Sequence, residues 1–388
     1  MLADDSSRAR RMRFLFVLEH FPPYVGGVET LFGHLVTKLA YEGHQVTVVT
    51  SRLAGTAARE TWNGATIVRV ATPPFLVRYA FTLLAIPHAI RHARGVDVVH
   101  TTLYNAAFAG WIGARLARAC SILSVLEVFA EQWSTLPGMG RVSGLLHRLF
   151  EWAALRLPFD HFVCISEFTR GRLVRNTRIP ENRTSVVYPA VDYAFWDRNR
   201  HAPAPLREML GLPKDCFLYL YFGRPGVSKG VEYLIEAASF VSAKLANSRL
   251  ILILGTDPQA QVQSIRRHIE RLGLTERIVI SPPVPRETLP EWLLAADCVV
   301  VPSISEGFGY SAVEAASLGC KVIATNGHAI AEVIPDGAIF VPPRSPRALA
   351  DAIVAANDTP TPPRPEPRYT LENHLDRMLK VYEHSCAS

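Results

Sequence analysis

Two glutamates, Glu306 and Glu314, flank a turn that could hold a sugar. The turn, residues 307–309, contains two glycines, so its backbone is free to present N–H groups to the oxygens of a ligand. Carboxylates accept hydrogen bonds and suit the paired hydroxyls of a sugar ring. Ser311 and Glu314 also match a capping-box pattern, in which Glu314 would bond back to the backbone at the start of a helix. The spacing alone leaves both roles open for Glu314.

Two cations, Arg224 and Lys229, lie on a glycine-containing loop directly after the apolar segment 216–222. A guanidinium offers two parallel donors and an ammonium offers a compact point charge, so the pair suits the two phosphates of a diphosphate. Positive charge at this point would also stabilise a diphosphate as it leaves. The alternative is a pair of solvated cations on a surface loop.

Adjacent glycines, Gly26 and Gly27, precede a helical stretch at residues 30–41. Glycines permit close approach of a ligand, and a helix N-terminus offers free N–H groups, so this loop suits a phosphate. The alternative is a tight strand-to-helix turn that needs glycine for its backbone angles. The loop does not contain the spacing G-x-G-x-x-G, so the sequence does not indicate a nicotinamide or flavin cofactor.

These loops follow short apolar segments that alternate with helical stretches, a pattern typical of parallel sheets covered by helices. The first half contains predicted strands at residues 13–18, 45–50, 66–70, 97–100, 121–126, 161–165 and 185–188. The second half contains predicted strands at residues 216–222, 250–254, 277–280, 298–301, 321–324 and 339–341. In such sheets, ligands bind at the carboxyl ends of the strands, where all three loops lie.

The pattern predicts an α/β fold with two Rossmann-like, doubly wound domains that face each other across a cleft. A chain of 388 residues exceeds what one hydrophobic core usually serves, which agrees with two domains. We place the first domain at residues 1–195 and the second at residues 210–365. A C-terminal helix at 366–388 is expected to cross back to the first domain.

The ordered set of motifs resembles the retaining GT-B glycosyltransferases of the GT4 family. The resemblance covers residues 13–384, and its motifs stand in the family's order: Gly26-Gly27-Val-Glu29, Ser166-Glu-Phe-Thr169, Tyr188-Pro-Ala-Val-Asp192, Arg224 with Lys229-Gly230, Glu306 with Glu314, and Glu332-Val. The E-x7-E spacing of Glu306 and Glu314 is the family's signature. The resemblance implies that the first domain binds the acceptor and the second binds a nucleotide-sugar donor.

Site roles follow from the same resemblance. It implies that Arg224 and Lys229 hold the diphosphate while the backbone of Gly26 and Gly27 closes over it. Glu314 would bind the ribose hydroxyls. The transferred sugar would contact Glu306 and the backbone of the turn Gly307, Phe308, Gly309. Glu306, Arg224 and Lys229 are therefore the candidate catalytic residues.

The implied reaction transfers a hexose from a UDP- or GDP-sugar to a glycan or lipid-linked acceptor, in polysaccharide or glycoconjugate biosynthesis. Transfer on the front side of the sugar would retain the anomeric configuration, and the departing phosphate would help to accept the acceptor's proton. The resemblance implies neither a metal ion nor another cofactor.

One position departs from the family pattern. Many members carry a histidine at the end of the strand that corresponds to residues 121–126, whereas this chain has Leu126 followed by Glu127. Glu127 or His100 is a candidate for that role on the acceptor side, although His100 also fits a hydrogen-bonded histidine at a strand end. The departure motivates one alternative, a catalytically weakened nucleotide-sugar-binding protein of the same fold. A separate alternative is a different GT-B enzyme, such as a nucleotide-sugar epimerase or a sugar-phosphate phosphorylase, although the chain is far too short for a phosphorylase.

The six cysteines lie far apart and form no metal-binding or redox motif. We therefore expect no disulfide framework and a cytoplasmic location, at the inner face of the membrane if the protein binds one. No stretch of about 18 uncharged apolar residues is present, and the N-terminus shows no cleavage-site pattern, so neither a spanning helix nor a signal peptide is expected.

Basic residues concentrate in the first 200 positions, which carry 23 Lys and Arg against 15 Asp and Glu. This excess indicates an anionic partner. No nucleic-acid-binding motif is present, so nucleic acid is not expected. Arginines flank apolar residues along 75–94 and 141–156, which fits peripheral membrane contact. The alternative is that both are ordinary surface helices whose apolar sides meet the sheet.

Overall fold

The computed structural model describes residues 11–24, 26–73, 77–256 and 259–386. The predicted absence of a signal peptide concerns residues 1–10, and the proposed membrane segment 75–94 begins at residues 75 and 76; these positions lie outside the described residues. So does Val25, in the first glycine loop.

An eight-stranded sheet forms the core of the first domain, with strand order β3-β4-β2-β1-β5-β6-β7-β8. All neighbouring strands are parallel except β3 and β4, which are antiparallel. The strands are β1 (Arg13–Leu18), β2 (Gln45–Ser51), β3 (Arg59–Trp62), β4 (Ala65–Val70), β5 (Val98–Thr102), β6 (Cys120–Val125), β7 (His161–Cys164) and β8 (Thr184–Val186).

Helices cover both faces of this sheet because its strands are apolar on both sides. Phe14, Phe16 and Leu18 pack on one face, whereas Leu15 and Val17 pack on the other, as the two-residue repeat of a strand requires. The helices are α1 (Gly27–Tyr41), α2 (Val77–Ala93), α3 (Ala107–Ala117), α4 (Arg141–Leu155) and α5 (Glu167–Asn176). The Ser166 hydroxyl caps α5 by accepting from the Thr169 N–H at 3.1 Å.

A six-stranded parallel sheet forms the second domain, with strand order β11-β10-β9-β12-β13-β14. Its strands are β9 (Phe217–Gly223), β10 (Ser248–Leu254), β11 (Ile278–Ser281), β12 (Cys298–Val301), β13 (Val322–Thr325) and β14 (Ile339–Val341). Its helices are α6 (Leu206–Met209), α7 (Val231–Lys244), α8 (Gln259–Arg271), α9 (Leu289–Ala295), α10 (Tyr310–Ser317), α11 (Ala329–Val333) and α12 (Pro346–Ala355).

The strand order changes direction between β9 and β12 in the second sheet, and between β1 and β5 in the first. A crevice opens at the carboxyl ends of the strands at such a switch point. The loops after β1, β9 and β12, with the helices that follow them, carry the predicted donor-site residues. The fold therefore places the predicted donor site at crevices of this kind.

The C-terminal helix α13 (Leu371–Ser385) returns to the first domain. Its residues Leu375, Met378, Val381 and Tyr382 belong to the same buried cluster as Phe14 and Phe16 of β1. A disulfide between Cys120 and Cys386 joins the end of this helix to the start of β6.

The disulfide corrects the expectation drawn from cysteine spacing. Its two cysteines are 266 positions apart in sequence, but the return of α13 brings their Cα atoms to 5.4 Å. Sequence spacing cannot indicate such a pair, because only tertiary packing brings the two cysteines together. The other four cysteines, at positions 164, 216, 298 and 320, are free and buried.

Candidate active site

The loops after β9 and β12 form one connected unit. The Ile304 N–H donates to the Ser228 carbonyl at 2.7 Å, which joins the two loops directly. Gly230, just beyond Ser228, has φ +64°, and a Cβ there would overlap the carbonyl oxygen of Pro302. Glycine is therefore required at position 230 for two reasons, its backbone angle and its close contact.

Lys229 and Glu306 extend from these loops and meet. The Lys229 Nζ lies 2.7 Å from Glu306 Oε1, and the Ser303 hydroxyl donates to the same oxygen at 2.8 Å. Glu306 is buried, which by itself would raise the pKa of its carboxyl. The Lys229 ammonium and the Ser303 hydroxyl outweigh burial and hold the pKa of Glu306 below its usual value. The Glu306 carboxyl is therefore ionised, and its Oε1 already accepts hydrogen bonds from Lys229 and Ser303.

Arg224 lies at the mouth of the same unit, and its side chain is exposed. The Tyr221 hydroxyl donates to the Arg224 carbonyl at 3.2 Å, which holds the backbone at this point. Within the described residues, no hydrogen bond or ion pair engages the Arg224 guanidinium. Burial raises the pKa of Glu29 in the first domain, and the charge of Arg224 is among the influences that oppose this rise.

The glycine loop of the first domain reaches the second domain. A Cβ at Gly27 would lie 2.8 Å from the ring of Tyr310, the first residue of α10. Gly26 is the N-cap of α1, and no side chain caps this helix end. Glu29, in the first turn, is half-buried; burial raises the pKa of its carboxyl, and a hydrogen bond to its own backbone N–H opposes the rise. The start of α1 therefore lies beside the start of α10.

Glu314 lies in the middle of α10 and does not form a capping box. The N-cap is Gly309, with φ +90°, so Ser311 is the second residue of the helix and Glu314 the fifth. Burial raises the pKa of Glu314 to about 8, against the opposing charge of Arg286. The capping-box interpretation is wrong, because the left-handed backbone of Gly309 starts the helix two residues earlier than that pattern requires.

The turn 307–309 meets the first domain at the position where the family pattern is broken. A Cβ at Gly307 would overlap the carbonyl oxygen of Leu126, so only glycine permits this approach of the two domains. The buried Phe308 packs against Tyr310 and Tyr369, with ring centroids 5.1 and 5.3 Å away. The turn that the sequence predicts to contact the sugar therefore lies against the end of the strand that precedes Leu126 and Glu127.

Glu127 is inside this junction. Burial raises the pKa of its carboxyl to about 7, the Glu306 carboxylate adds to the rise, and Lys229 and Arg172 oppose it. Its Oε1 atom is buried and has no hydrogen-bond partner within the described part of the chain. The Ser305 hydroxyl affects its pKa but is not in hydrogen-bond geometry with that oxygen. A buried carboxyl oxygen without a partner is costly, so its presence suggests a role with a ligand.

His100 is separate from the cleft surface. It is 1% exposed, and its ring nitrogens lie 2.7 Å from the Tyr382 hydroxyl and 2.8 Å from the Ser124 hydroxyl. Burial lowers the pKa of His100 to about 3, so the ring is neutral. Because both nitrogens are engaged by the first domain's own side chains, this geometry favours the hydrogen-bonded strand-end histidine over an acceptor-side role.

A further contact holds the domains together. Glu332 of α11 accepts hydrogen bonds from the backbone N–H groups of Glu167 and Phe168, both at 2.8 Å. These groups start α5 in the first domain, and a carboxylate is favoured at a helix N-terminus. The Tyr188 hydroxyl also donates to Glu332. Sequence reasoning singled out the Glu332 segment by resemblance only and did not foresee this bridging role.

Three side chains near the site were missed from the sequence. Ser303 orients Glu306, and Arg286 influences the pKa of Glu314 from a loop after β11. His328 caps α11 and lies 2.9 Å from the Thr325 hydroxyl, close enough to Glu306 to feel its charge. None of them belongs to a recognisable spacing, because each comes to the site from a different loop of the sheet.

Both halves of the chain match glycosyltransferase family models. Residues 25–195 match the model described as Glycosyltransferase Family 4, and residues 204–365 match the model described as Glycosyl transferases group 1. The chain belongs to the group 1, family 4 glycosyltransferases. This confirms the family that the ordered motifs indicated.

Curated relatives of this glycosyltransferase include proteins named D-inositol 3-phosphate glycosyltransferase. The one from Xylanimonas cellulosilytica is 29% identical over 266 residues, a match that covers 67% of this chain and 63% of the relative. The one from Thermomonospora curvata is 24% identical over 360 residues and is matched along 83% of its length, with 86% of this chain covered. The chain thus spans less than two thirds of the first relative.

Solved structures share the fold of this glycosyltransferase over nearly its whole length. Sucrose-phosphate synthase from Thermosynechococcus elongatus superimposes with a TM-score of 0.73 at 21% identity, covering 97% of each chain. Anabaena HepE, solved in complex with UDP-glucose, gives 0.73 at 19% identity, covering 96% of this chain and 100% of that one. These comparisons confirm the predicted GT-B architecture of two Rossmann-like domains.

Proposed function

We propose that this chain transfers a hexose from a UDP- or GDP-sugar to a glycan or lipid-linked acceptor, with retention of anomeric configuration. The observation that carries the proposal is that Arg224 and the Lys229–Glu306 ion pair come from the loops after β9 and β12, and that the Arg224 guanidinium has no hydrogen bond or ion pair among the residues that the structure describes. Cations on one wall and the N-terminus of α1 on the other suit a diphosphate bound between the domains.

The donor is proposed to lie along this wall. Arg224 and Lys229 hold the diphosphate, and the backbone of Gly26 and Gly27 closes over it. Glu314 accepts hydrogen bonds from the ribose hydroxyls, which requires it to be ionised when nucleotide binds. The solved complex of HepE with UDP-glucose supports a nucleotide-sugar donor for this fold. We propose that no metal ion is needed, because the two cations supply the positive charge that a diphosphate leaving group requires.

Glu306 is proposed to face the transferred sugar together with the turn Gly307, Phe308 and Gly309. One oxygen of its carboxylate is held by Lys229 and Ser303, which fixes the orientation of the other. In the reaction, the bond between the anomeric carbon and the phosphate oxygen breaks, and its electron pair goes to the diphosphate. The acceptor oxygen bonds to the anomeric carbon on the same face, and its proton goes to the departing phosphate.

We propose that Glu127 orients the acceptor hydroxyl in place of the histidine that many family members carry. Its unpartnered Oε1 and its position beside Glu306 support this role. The ionised carboxyl would accept a hydrogen bond from the acceptor hydroxyl. The names of the curated relatives make a phosphorylated polyol a second acceptor candidate. If Glu127 cannot replace the histidine, the chain is instead a weakened, nucleotide-sugar-binding relative of these enzymes.

Calorimetry with UDP and with GDP tests the donor half of the proposal, and release of nucleotide from UDP- and GDP-hexoses tests turnover. We expect one nucleotide to bind with a Kd in the micromolar range or below and its sugar to be consumed. NMR of the product should show the anomeric configuration of the donor. Binding without turnover on any glycan, lipid-linked or phosphorylated polyol acceptor would support the weakened protein, and an inverted product would contradict retaining transfer.

A further inference from the structure

Helix α4 presents its large apolar side chains to solvent. Five of them are between 52% and 74% exposed, at spacings of three and four residues that place them on one side of the helix: Val142, Leu145, Leu146, Leu149 and Trp152. An amphipathic helix on a protein surface normally turns such a stripe toward the core. These five side chains face solvent instead, which indicates that they bind a partner outside the described chain.

The inner side of α4 is held by polar contacts and small residues. Glu151 is 2% exposed, and its carboxylate accepts from the Tyr104 hydroxyl at 2.8 Å and from the Phe129 and Ala130 N–H groups at 2.9 and 2.6 Å. A Cβ at Gly144 would lie 2.7 Å from the carbonyl oxygen of Trp133, so the helix backbone packs closely there. These contacts, with the buried Leu155, fix the helix so that Leu145, Leu146 and Leu149 face outward.

Helix α2 extends the apolar surface. Tyr79, Leu83 and Leu84 are between 43% and 68% exposed, and the Tyr79 hydroxyl lies 3.4 Å from His147 Nε2 of α4. We call these three residues and the five of α4 the α2–α4 face. Two neighbouring helices thus contribute to one surface, which agrees with the two segments that the sequence singled out.

The charges around the α2–α4 face are basic. Arg141, Arg148 and Arg156 are exposed on or beside α4, and the Arg156 guanidinium lies 4.2 Å from the centre of the Trp152 ring. Glu151 is the only acidic residue in the sequence of the two helices, and it is buried. Arg156 and Arg178 also line an adjoining cavity of about 400 Å³. The outer surface of both helices therefore carries apolar groups and cations without a carboxylate.

We propose that the α2–α4 face binds the surface of a membrane rich in anionic lipids. Leucines and a tryptophan on one side of a helix enter the boundary between headgroups and acyl chains, and flanking arginines contact the lipid phosphates. A protein partner would be expected to meet some carboxylates and hydrogen-bonding groups on this face. No helix within the described ranges is long and apolar enough to cross a membrane. The inference stands independently of the proposed glycosyl transfer.

Co-sedimentation of the full chain with vesicles tests the inference. We expect binding to vesicles of phosphatidylcholine with about one third phosphatidylglycerol, and at least tenfold weaker binding to pure phosphatidylcholine. The double substitution Leu145→Glu with Leu149→Glu should reduce binding to anionic vesicles by about tenfold or more. Arg148→Gln should reduce it about fivefold, because each basic residue near an anionic surface contributes roughly that factor. Met209→Glu, at an exposed apolar position of the second domain, is the matched control.

Several outcomes would overturn the inference. Equal binding to neutral and anionic vesicles would contradict an anionic surface, and absence of binding to either would contradict a membrane partner. If sedimentation velocity shows a dimer that Leu145→Glu with Leu149→Glu converts to a monomer, the partner is a second copy of the chain. Nucleotide binding by calorimetry should be unchanged in these variants. That readout separates loss of the surface from loss of the fold and from failure of the proposed transfer.

Discussion

The Lys229 ammonium lies 2.7 Å from the Glu306 carboxylate, although the two residues come from different loops of the second sheet. Both are partly or wholly shielded from water, so the pair is stronger than one on the surface. Under the proposed function, the pairing lets Lys229 hold a phosphate and orient the Glu306 carboxylate toward the sugar at the same time. A substitution at either residue therefore disturbs the other.

Glu306→Gln is expected to lower kcat about a hundredfold, because the sugar loses a charged acceptor that is held in place before the reaction begins. The Kd for the nucleotide should change little, since Glu306 faces the sugar. Calorimetry with the nucleotide and initial rates with its sugar measure the two effects. A thermal unfolding midpoint that falls as much as the activity does would contradict a chemical role for Glu306.

Arg224→Ala is expected to weaken nucleotide diphosphate binding between about tenfold and a hundredfold, because it removes charge-assisted hydrogen bonds to the phosphates. Binding of the unphosphorylated nucleoside should not change. Lys214→Ala, which removes an exposed cation of the same domain, is the matched control. If both variants bind the nucleotide like the parent protein, Arg224 does not contact the diphosphate.

Gly307→Ala is expected to reduce kcat about a hundredfold, because its Cβ would overlap the Leu126 carbonyl and keep the domains from meeting. Nucleotide binding to the second domain should remain close to normal. Gly140→Ala is the control, since a Cβ at that glycine meets no atom within 4 Å. Small-angle scattering should report a more open Gly307→Ala variant. Full activity in that variant would show that the observed domain contact is not needed for turnover.

Glu127→Gln is expected to lower kcat about a hundredfold and to change its pH dependence. Burial raises the pKa of Glu127 to about 7, so its ionised form is reached as the pH rises through that value. The parent protein should gain activity through an apparent pKa near 7, and the variant should lose that rise. Glu131→Gln, on the following exposed turn, is the control. A rise that persists in Glu127→Gln would assign it to another group.

Glu314→Gln is expected to change stability with pH in a defined direction. Burial raises the pKa of Glu314 from its usual 4.5 to about 8, so folding favours the protonated form. This contribution is complete below the unfolded-state pKa and is lost as the pH rises through about 8. Glutamine cannot ionise, so the nucleotide-free variant should become more stable than the parent over this window.

Urea unfolding at several pH values between about 4.5 and 8 measures this difference, with Glu276→Gln as the control at an exposed position of the same domain. The nucleotide should bind Glu314→Gln about tenfold more weakly, because the ribose loses a charged acceptor. A constant stability difference across the window would show that folding does not raise the pKa of Glu314.

The sequence predicted the two sheets well because their strands are buried on both faces and appear as apolar runs. Of the strands that the structure describes, only β3 (Arg59–Trp62) was missed. It has mainly polar residues and pairs antiparallel with β4 at the edge of the sheet, so it lacks the apolar pattern of a central strand. The site loops were also predictable, since each follows an apolar strand and contains glycine.

Features that depend on the approach of distant segments were not predictable. The capping-box interpretation of Glu314 failed because the left-handed backbone of Gly309 sets the helix start. The disulfide between Cys120 and Cys386 and the outward side of α4 both depend on packing between elements. The Lys229–Glu306 pair was also not predictable. Periodicity shows which loops lie at the same edge of a sheet, but it does not show which side chains meet there.

The return of α13 makes the second domain an insertion within the first. The chain crosses between the domains twice, so any hinge movement must bend both crossings together, which favours rotation about one axis over free tumbling. The first domain also has an incomplete core until Leu375, Met378 and Tyr382 have been synthesised and packed against β1. The second domain can therefore fold on the ribosome before the domain that precedes it in sequence is finished.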